Sequence, residues 1–442
     1  MNKTKQNLIL MGILTGTFLV PVNSTMIAVG LPTISQDLNV SVTNVTWVVT
    51  IYLIVMAAAQ PIAGKLGDIY GNKKVMLFGF SLFFVSSIAC AFSFNLLSLI
   101  VFRSLQALGG ALATPNATAV MRHVMPKDKL SNIFGFFGLA MGLGAAIGPM
   151  LGSGLITLFS WEAIFWVNVP FLLISMTLTW FIVPSVEGIR NHSLDILGSI
   201  YLGTVLTLFT LIVTHREYLN VLTLLSLLVA IALFIYQEKR AKVPLIEFQM
   251  FKNLQFSGSN ISILINNFVM YSTILFVPLL FETFHFNINM IGALLFAFSL
   301  AMSLSSLLGG RLANKYGKGN VISLSFGLLS LTTLSYFWFT NEVSVIYTLI
   351  VLIFGGFSVG IGVASMQAAN IESVSKEKSG TASGIYSTFR YMGGMIASAV
   401  VSVLVGTSML YILLLIFSLV GLLISIILVQ KSGVEQKSTL TG

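Results

Sequence analysis

Long, uninterrupted apolar blocks decide what this chain can fold into. Leu8–Val20, Val75–Phe94, Val221–Phe234 and Met409–Val429 are apolar almost throughout, without the polar stripe of an amphipathic surface helix. A hydrocarbon layer about 30 Å thick takes roughly 20 apolar residues in helix to cross. Inside that layer every backbone N–H and C=O has to be bonded within the protein, so helices are the natural spanning form. A membrane β-barrel would instead show alternating segments of about ten residues, and the sequence has none. Only 8% of the 442 residues are charged, whereas 56% are hydrophobic. A water-soluble domain carries about 25% charged residues, so too little charge is left here to coat a globular surface. The fold class expected is an all-α polytopic membrane protein.

Fourteen spans are expected, near residues 8–31, 43–63, 75–94, 97–120, 133–158, 163–184, 195–214, 219–236, 256–281, 290–309, 321–340, 345–366, 380–405 and 408–430. The seventh and eighth are separated only by His215-Arg216-Glu217, polar enough for a tight turn at the membrane surface. Positive charge tests this number, because cytoplasmic loops are enriched in Lys and Arg. With a cytoplasmic start, Arg103 and Arg390 fall within spans and Arg216 alone falls in an outer turn. The other 20 of the 23 Lys and Arg residues lie in cytoplasmic turns or tails. A missed or extra span would scramble that pattern. A multi-pass protein of the inner or plasma membrane is expected, with both termini in the cytoplasm. The first apolar run is longer than the 7–15 residues of a signal-peptide core and reads as the first span. The single cysteine, Cys90, excludes an internal disulfide and a Cys-based metal site. No Gly-x-x-x-x-Gly-Lys-Ser/Thr loop and no His-Glu-x-x-His pair occur, so neither nucleotide hydrolysis nor a metal centre is indicated and no cofactor is expected.

Two segments resemble each other. Gly64-Lys65-Leu66-Gly67-Asp68-Ile69-Tyr70-Gly71-Asn72-Lys73-Lys74 follows the second span, and Gly310-Arg311-Leu312-Ala313-Asn314-Lys315-Tyr316-Gly317-Lys318 follows the tenth. Both read as turns. Internal repeats mark secondary transporters, and this spacing makes spans 1–6 and 9–14 equivalent bundles with spans 7 and 8 inserted. The domains expected are residues 1–190, an insert with a cytoplasmic linker over 191–255, and residues 256–442. Arg103 is a charge in the middle of span four, where a cation is costly and faces the bundle interior; Gln106 shares its face. Arg390 sits deep in span 13. Gly144, Gly148 and Gly152 lie one helical turn apart in span five, a face that lets another helix approach closely, and Pro149 bends that helix. Asn23, Arg103, Gln106, Asn266, Asn267, Tyr271, Phe389 and Arg390 are the candidate polar and aromatic points of a substrate cavity.

These segments also carry a resemblance. The first turn resembles the signature loop of the major facilitator superfamily. Arg103-x-x-Gln106-x-x-Gly109-Gly110-Ala111 is similar to its second motif, and Gly144-x-x-x-Gly148-Pro149-x-x-Gly152 to the antiporter motif of its drug exporters. Trp161-x-x-Ile164-Phe165-x-x-Asn168-x-Pro170, Gly380-x-Ala382-Ser383-Gly384 and Arg390-x-x-Gly393-Gly394 resemble the fourteen-helix drug:proton antiporter subfamily. That resemblance implies a major facilitator fold of two six-helix bundles plus two inserted helices. It implies a secondary transporter, not an enzyme, that uses the proton gradient to export multiple lipophilic, mainly cationic drugs and dyes of the fluoroquinolone, ethidium and acriflavine types. A dedicated exporter of one metabolite or peptide is the alternative. The partners implied are small-molecule drugs, protons and the lipid bilayer, with no nucleic acid and no need for more than a monomer. Gly64, Asp68, Gly71, Gly144, Gly148, Pro149 and Arg311 are implied as gating residues, with Asp68 as a latch that pairs with an arginine or a helix end in the outward-facing state. Where relatives carry an aspartate in span one, this chain has Asn23, which cannot titrate near neutral pH. Proton coupling then falls to Glu162, Glu282 or Asp68.

Overall fold

The computed structural model describes residues 3–185, 187–188, 194–214, 216–241, 243–284, 288–339 and 344–438. The boundary expected at residues 190–191, His215, and the side chains of Arg216 and Glu282 lie outside what is described. Among the described residues the long helices number fourteen: α1 (Lys3–Asp37), α2 (Trp47–Tyr70), α3 (Asn72–Ala91), α4 (Leu96–Val124), α5 (Leu130–Leu158), α6 (Asn168–Ile182), α7 (Ile196–Thr214), α8 (Val221–Arg240), α9 (Leu254–Thr283), α10 (Ile288–Tyr316), α11 (Lys318–Ser335), α12 (Val345–Glu372), α13 (Ser379–Leu404) and α14 (Ser408–Ser438). They correspond one to one with the expected spans, and no strand occurs among the described residues. Thirteen helical segments among the described residues are long and apolar enough to cross a membrane. The α13 helix is not among them, because Ser379, Thr381, Ser383, Ser387, Thr388 and Arg390 dilute its first half.

Local chemistry places several helix starts. Asn95 opens α4 with a capping box: its Oδ1 accepts from Ser98 N–H at 2.8 Å, and the Ser98 hydroxyl accepts from Asn95 N–H at 3.3 Å. Asn220 and Thr223 repeat the device at α8, at 3.0 and 3.3 Å. Each box satisfies donors that a helix N-terminus otherwise leaves unbonded.

The repeated segments differ from the sequence reading. Gly64–Tyr70 is not a turn but the last two turns of α2, and Gly310–Tyr316 likewise ends α10. The polar residues there let the helix continue past its apolar part. The stop comes from a single glycine in each copy, Gly71 at φ 99° and Gly317 at φ 88°. Gly71 N–H bonds the Gly67 carbonyl at 2.8 Å and Gly317 N–H bonds the Ala313 carbonyl at 3.0 Å. A residue with a Cβ is strained at such a φ, so equivalent positions of the repeat carry the same requirement.

The helices pack as two units. One holds Met1–Met125, Leu143–Glu247 and Ser375–Thr388; the other holds Pro126–Gly142, Phe248–Val374 and Phe389–Gly442. The inserted pair α7 and α8 belongs to the first, with α7 against α2. The first part of α13 counts with the first unit and the first part of α5 with the second. Within the first unit α4 packs on α2 and α3, and α6 on α1 and α3. Within the second, α12 packs on α10 and α11, and α14 on α9 and α11. The pairings are the same once α1–α6 are set beside α9–α14, which is the repeat expressed as packing.

Replacing Gly71 or Gly317 by alanine should each lower the thermal unfolding midpoint of the purified protein, by strain of about 1–2 kcal/mol. Gly154→Ala should leave it unchanged or raise it, because Gly154 lies within α5 and an added Cβ there meets nothing within 4 Å. Midpoints for both turn variants equal to that of the parent would contradict the glycine-stopped helix ends.

Candidate functional site

The first unit centres on Arg103, which is wholly buried on α4. Its Nη1 donates to Asn23 Oδ1 on α1 at 2.5 Å and to Gln106 Oε1 at 2.5 Å, and its Nε to the Val48 carbonyl on α2 at 3.4 Å. Its guanidinium carbon lies 4.4 Å from the Tyr52 ring centroid and 5.8 Å from that of Phe165. Gln106 Nε2 donates on to Ser87 Oγ at 2.7 Å, which also accepts from Asn168 Nδ2 at 3.4 Å. The sequence reading brought Asn23, Arg103 and Gln106 to one cavity, and the structure places them in one network. It missed Tyr52 and Ser87, which carry no local signal beyond polarity in a span, and it named Asn168 only as part of a motif, with no link to Arg103.

Every acceptor around Arg103 is neutral. Burying an ion costs several kcal/mol, while a hydrogen bond from a charged donor returns about 1.5–3 kcal/mol and a desolvated aromatic face about 2 kcal/mol. The neutral shell therefore holds the cation in place but leaves its charge uncancelled.

Asp68, on α2 and buried, anchors a second cluster in the same unit. Its Oδ1 accepts from Gly380 N–H at 2.8 Å, and its Oδ2 from Thr381 N–H at 2.7 Å and the Thr381 hydroxyl at 2.6 Å. These N–H groups open α13, where unbonded donors and the positive end of the helix dipole favour a carboxylate. Of the two partners expected for Asp68, an arginine or a helix end, it is the helix end. It does not cap the next helix: Gly71 stands at the start of α3 with no side-chain cap. Asn72 Nδ2 donates to Asp68 Oδ1 at 3.5 Å and to Asn116 Oδ1 at 3.0 Å, and Asn116 Nδ2 to the Ala63 carbonyl at 2.9 Å. Thr118 and Ser383 hydrogen-bond through their hydroxyls. Gly64 is required here, since a side chain would overlap the Gly380 carbonyl.

The glycine face of α5 seats against α1. Carbons added at Gly144, Gly148 and Gly152 would meet Phe18 and Pro21, Val22 and Thr25, and Met26 respectively. Pro149 lies inside α5 on this stretch. Glu162 stands just ahead of the short helical turn Ala163–Trp166, with one carboxylate oxygen buried and unbonded. Asp37, the last residue of α1, accepts from Trp161 Nε1 at 2.9 Å.

In the second unit, Gly393 and Gly394 bring α13 against α9 at Asn267, Phe268 and Tyr271. Asn267 Nδ2 bonds only back to the Ile263 carbonyl, at 3.1 Å. Asn266 is fully buried with both side-chain polar atoms unbonded. Phe389 lies against Phe251 with ring centroids 6.3 Å apart, and Arg390 sits 5.4 Å from the Tyr391 ring. At the repeated segment a side chain on Gly310 would overlap the Ser131 carbonyl near the start of α5, the counterpart of Gly64 against Gly380. Asn314 and Arg311 are exposed. Lys318, which stands after Gly317 as Asn72 stands after Gly71, forms an ion pair with Glu372 at 2.6 Å.

The sequence matches the family profile described as Major Facilitator Superfamily over residues 13–250 and 260–441. It is 43% identical over 430 residues to the "Uncharacterized MFS-type transporter YvkA" of Bacillus subtilis (strain 168), covering 96% of this chain and 97% of the relative. The "Multidrug transporter protein MdtP" of the same organism is 28% identical over 408 residues, 89% of this chain and 74% of the relative. The fold is similar to that of the human organic anion transporter MFSD10 in its crystal structure, with TM-score 0.71 and 14% identity over 95% of this chain and 99% of that one.

Gln106→Leu should lower the unfolding midpoint by the equivalent of about 1.5–3 kcal/mol, the worth of a hydrogen bond to a charged group. The double variant Arg103→Leu/Gln106→Leu should recover part of that loss, because the ion that needs solvating has gone. Strictly additive losses in this cycle would show that Gln106 does not support Arg103.

Proposed function

The chain belongs to the Major Facilitator Superfamily and is a membrane transporter rather than an enzyme, and from that premise we propose that it exports several lipophilic, drug-sized molecules, cationic and zwitterionic, in exchange for protons. The observation that carries this reading is the Asp68 carboxylate on the N-terminus of α13. Three hydrogen bonds to a charged acceptor, each worth about 1.5–3 kcal/mol, make a contact strong enough to define one state. Transport by alternating access needs a second state in which such a contact is broken. The lysine-rich turns support a cytoplasmic side for this end of the bundle; on that reading the latch closes the cytoplasmic side and its release opens the path for cargo.

Two further features support efflux. The glycine face of α5 leaves little room between it and α1, as suits a seam that stays sealed against leak while α1 and α5 move together. Similarity to MdtP over most of the chain supports drugs as cargo. Proton coupling falls to acids outside α1, since Asn23 cannot carry a proton near neutral pH. Glu162, with its buried and unbonded carboxylate oxygen, is the first of these; Glu282 and Asp68 follow.

The test is transport in proteoliposomes under an imposed pH gradient, following ethidium and norfloxacin together with an internal pH dye. Drug should move uphill only with the gradient and protons the other way. Glu162→Gln should lose both about tenfold or more, the effect of about 1.4 kcal/mol on a barrier. Asp68→Asn should slow transport by a similar factor. If several drugs fail to move under any gradient, the multidrug reading gives way to a dedicated single-substrate exporter. If drug moves and Glu162→Gln and Glu282→Gln match the parent, the proton sites are elsewhere.

A further inference from the structure

The charge balance inside the helices points away from a purely cationic cargo. Arg103 is wholly buried in the interior of α4. No described carboxylate lies within electrostatic reach of it; the titratable groups that do, Cys90 and Tyr52, are ordinarily neutral near pH 7. Two donors of the centre have no acceptor among the described residues, Arg103 Nη2 and Asn23 Nδ2. Asn23 is bonded to Arg103 through its Oδ1, so both open donors belong to one hydrogen-bonded pair. The one acceptor of the network left open, Asn168 Oδ1, belongs to a residue linked to Arg103 only through Ser87 and Gln106. What the Arg103–Asn23 pair lacks is therefore an acceptor-rich group that carries negative charge. The Tyr52 and Phe165 rings at 4.4 and 5.8 Å add flat apolar walls beside the same cation. The second unit repeats the imbalance: Arg390 lies in α13 beside the Tyr391 ring, and no ion pair to it occurs among the described residues.

We propose that Arg103 with Asn23 forms a seat for a carboxylate on the transported molecule, so that the preferred cargo is a lipophilic, ring-bearing acid or zwitterion and not a permanent cation. The inference rests on the reading that this chain carries drug-sized molecules and that Arg103 meets them. A guanidinium presents paired N–H donors that fit a carboxylate edge. Arg103 Nη2 supplies the charged donor and Asn23 Nδ2 a second one. When the bundle opens, an arriving carboxylate satisfies both and cancels the charge that the neutral shell leaves uncancelled. A cargo without that group leaves them as they are, which discriminates between ligands by the unmet need of the site. Ethidium, with a fixed positive charge, gains nothing there and meets like charge.

The purified full chain in detergent tests this by calorimetric titration with norfloxacin, with its methyl ester, with 1-naphthoate and with ethidium. Norfloxacin should bind roughly tenfold or more tighter than the ester, the discrimination of one charge-assisted pair. Asn23→Asp sets a carboxylate against Arg103 inside the protein, and the ratio of acid to ester should fall to about one. Arg103→Lys, which keeps the charge and loses the fork, should keep part of the preference; thermal melts confirm that both variants are folded. Equal affinity of the parent for acid and ester, an undiminished ratio in Asn23→Asp, or no binding of norfloxacin and 1-naphthoate alike would each overturn the seat. Gradient-driven transport is read separately: a clear acid preference in a protein that moves no panel of drugs keeps the seat and removes only the multidrug reading.

Discussion

A carboxylate set on the open end of a helix organises the first packing unit of this transporter. Asp68 accepts the Gly380 and Thr381 N–H groups in the first turn of α13 together with the Thr381 hydroxyl. Each neighbouring feature makes that contact possible. Gly71 ends α2 just beyond Asp68 through a left-handed conformation. Gly64 removes the side chain that would hold α13 away. Asn72 bonds the carboxylate from the start of α3 and passes to Asn116 on α4. Three helices thus meet α13 through one charge, and a change at that charge reaches all of them. In the proposed cycle the ion is released in the other state, so its contact has to be strong enough to hold and still reversible. Hydrogen bonds to backbone donors meet that requirement better than a fully paired ion deep in hydrocarbon would, since breaking such a pair leaves an uncompensated charge.

The same α4 that reaches this contact through Asn116 carries Arg103 nearer its start. The helix therefore links a latch at one end with an uncancelled positive charge farther along. Asn23, at the place where the family resemblance implies an acid, bears on more than proton carriage in the proposed mechanism. An aspartate at that place would neutralise Arg103 internally; an asparagine accepts its hydrogen bond and leaves the charge standing. On the proposed reading, cargo charge and proton coupling are in this way tied to one residue, and both should shift if it changes.

The spans, their number and the internal repeat were legible in the sequence because hydrocarbon imposes a simple rule on long segments. Arg103 stood out for the same reason, as a charge where charge is costly. The extent of the helices was less legible. Gly64–Tyr70 has the composition of a turn, yet nothing in it stops a helix before Gly71, and glycine spacing alone does not show which glycine has the positive φ. Long-range polar pairs were not legible at all. Asn72 with Asn116, Asp37 with Trp161, and Gln106 with Ser87 join residues on different elements, and each residue alone reads as an ordinary loop or span polar group. The motif around Asp68 implies a latch but leaves its partner open between an arginine and a helix end, since the choice depends on where α13 begins in space.

The claim on which the account turns is that the seam between α13 and α4 beside Asp68 has to open in every transport cycle. Thr118 and Ser383, whose hydroxyls hydrogen-bond across that seam, offer the most direct test. In a background with Cys90 replaced by alanine, cysteines at both positions can be oxidised to a disulfide and reduced again in proteoliposomes. The account predicts that oxidation stops gradient-driven drug movement and that reduction restores it, with each single-cysteine protein unaffected. Full transport with the disulfide completely formed would contradict it.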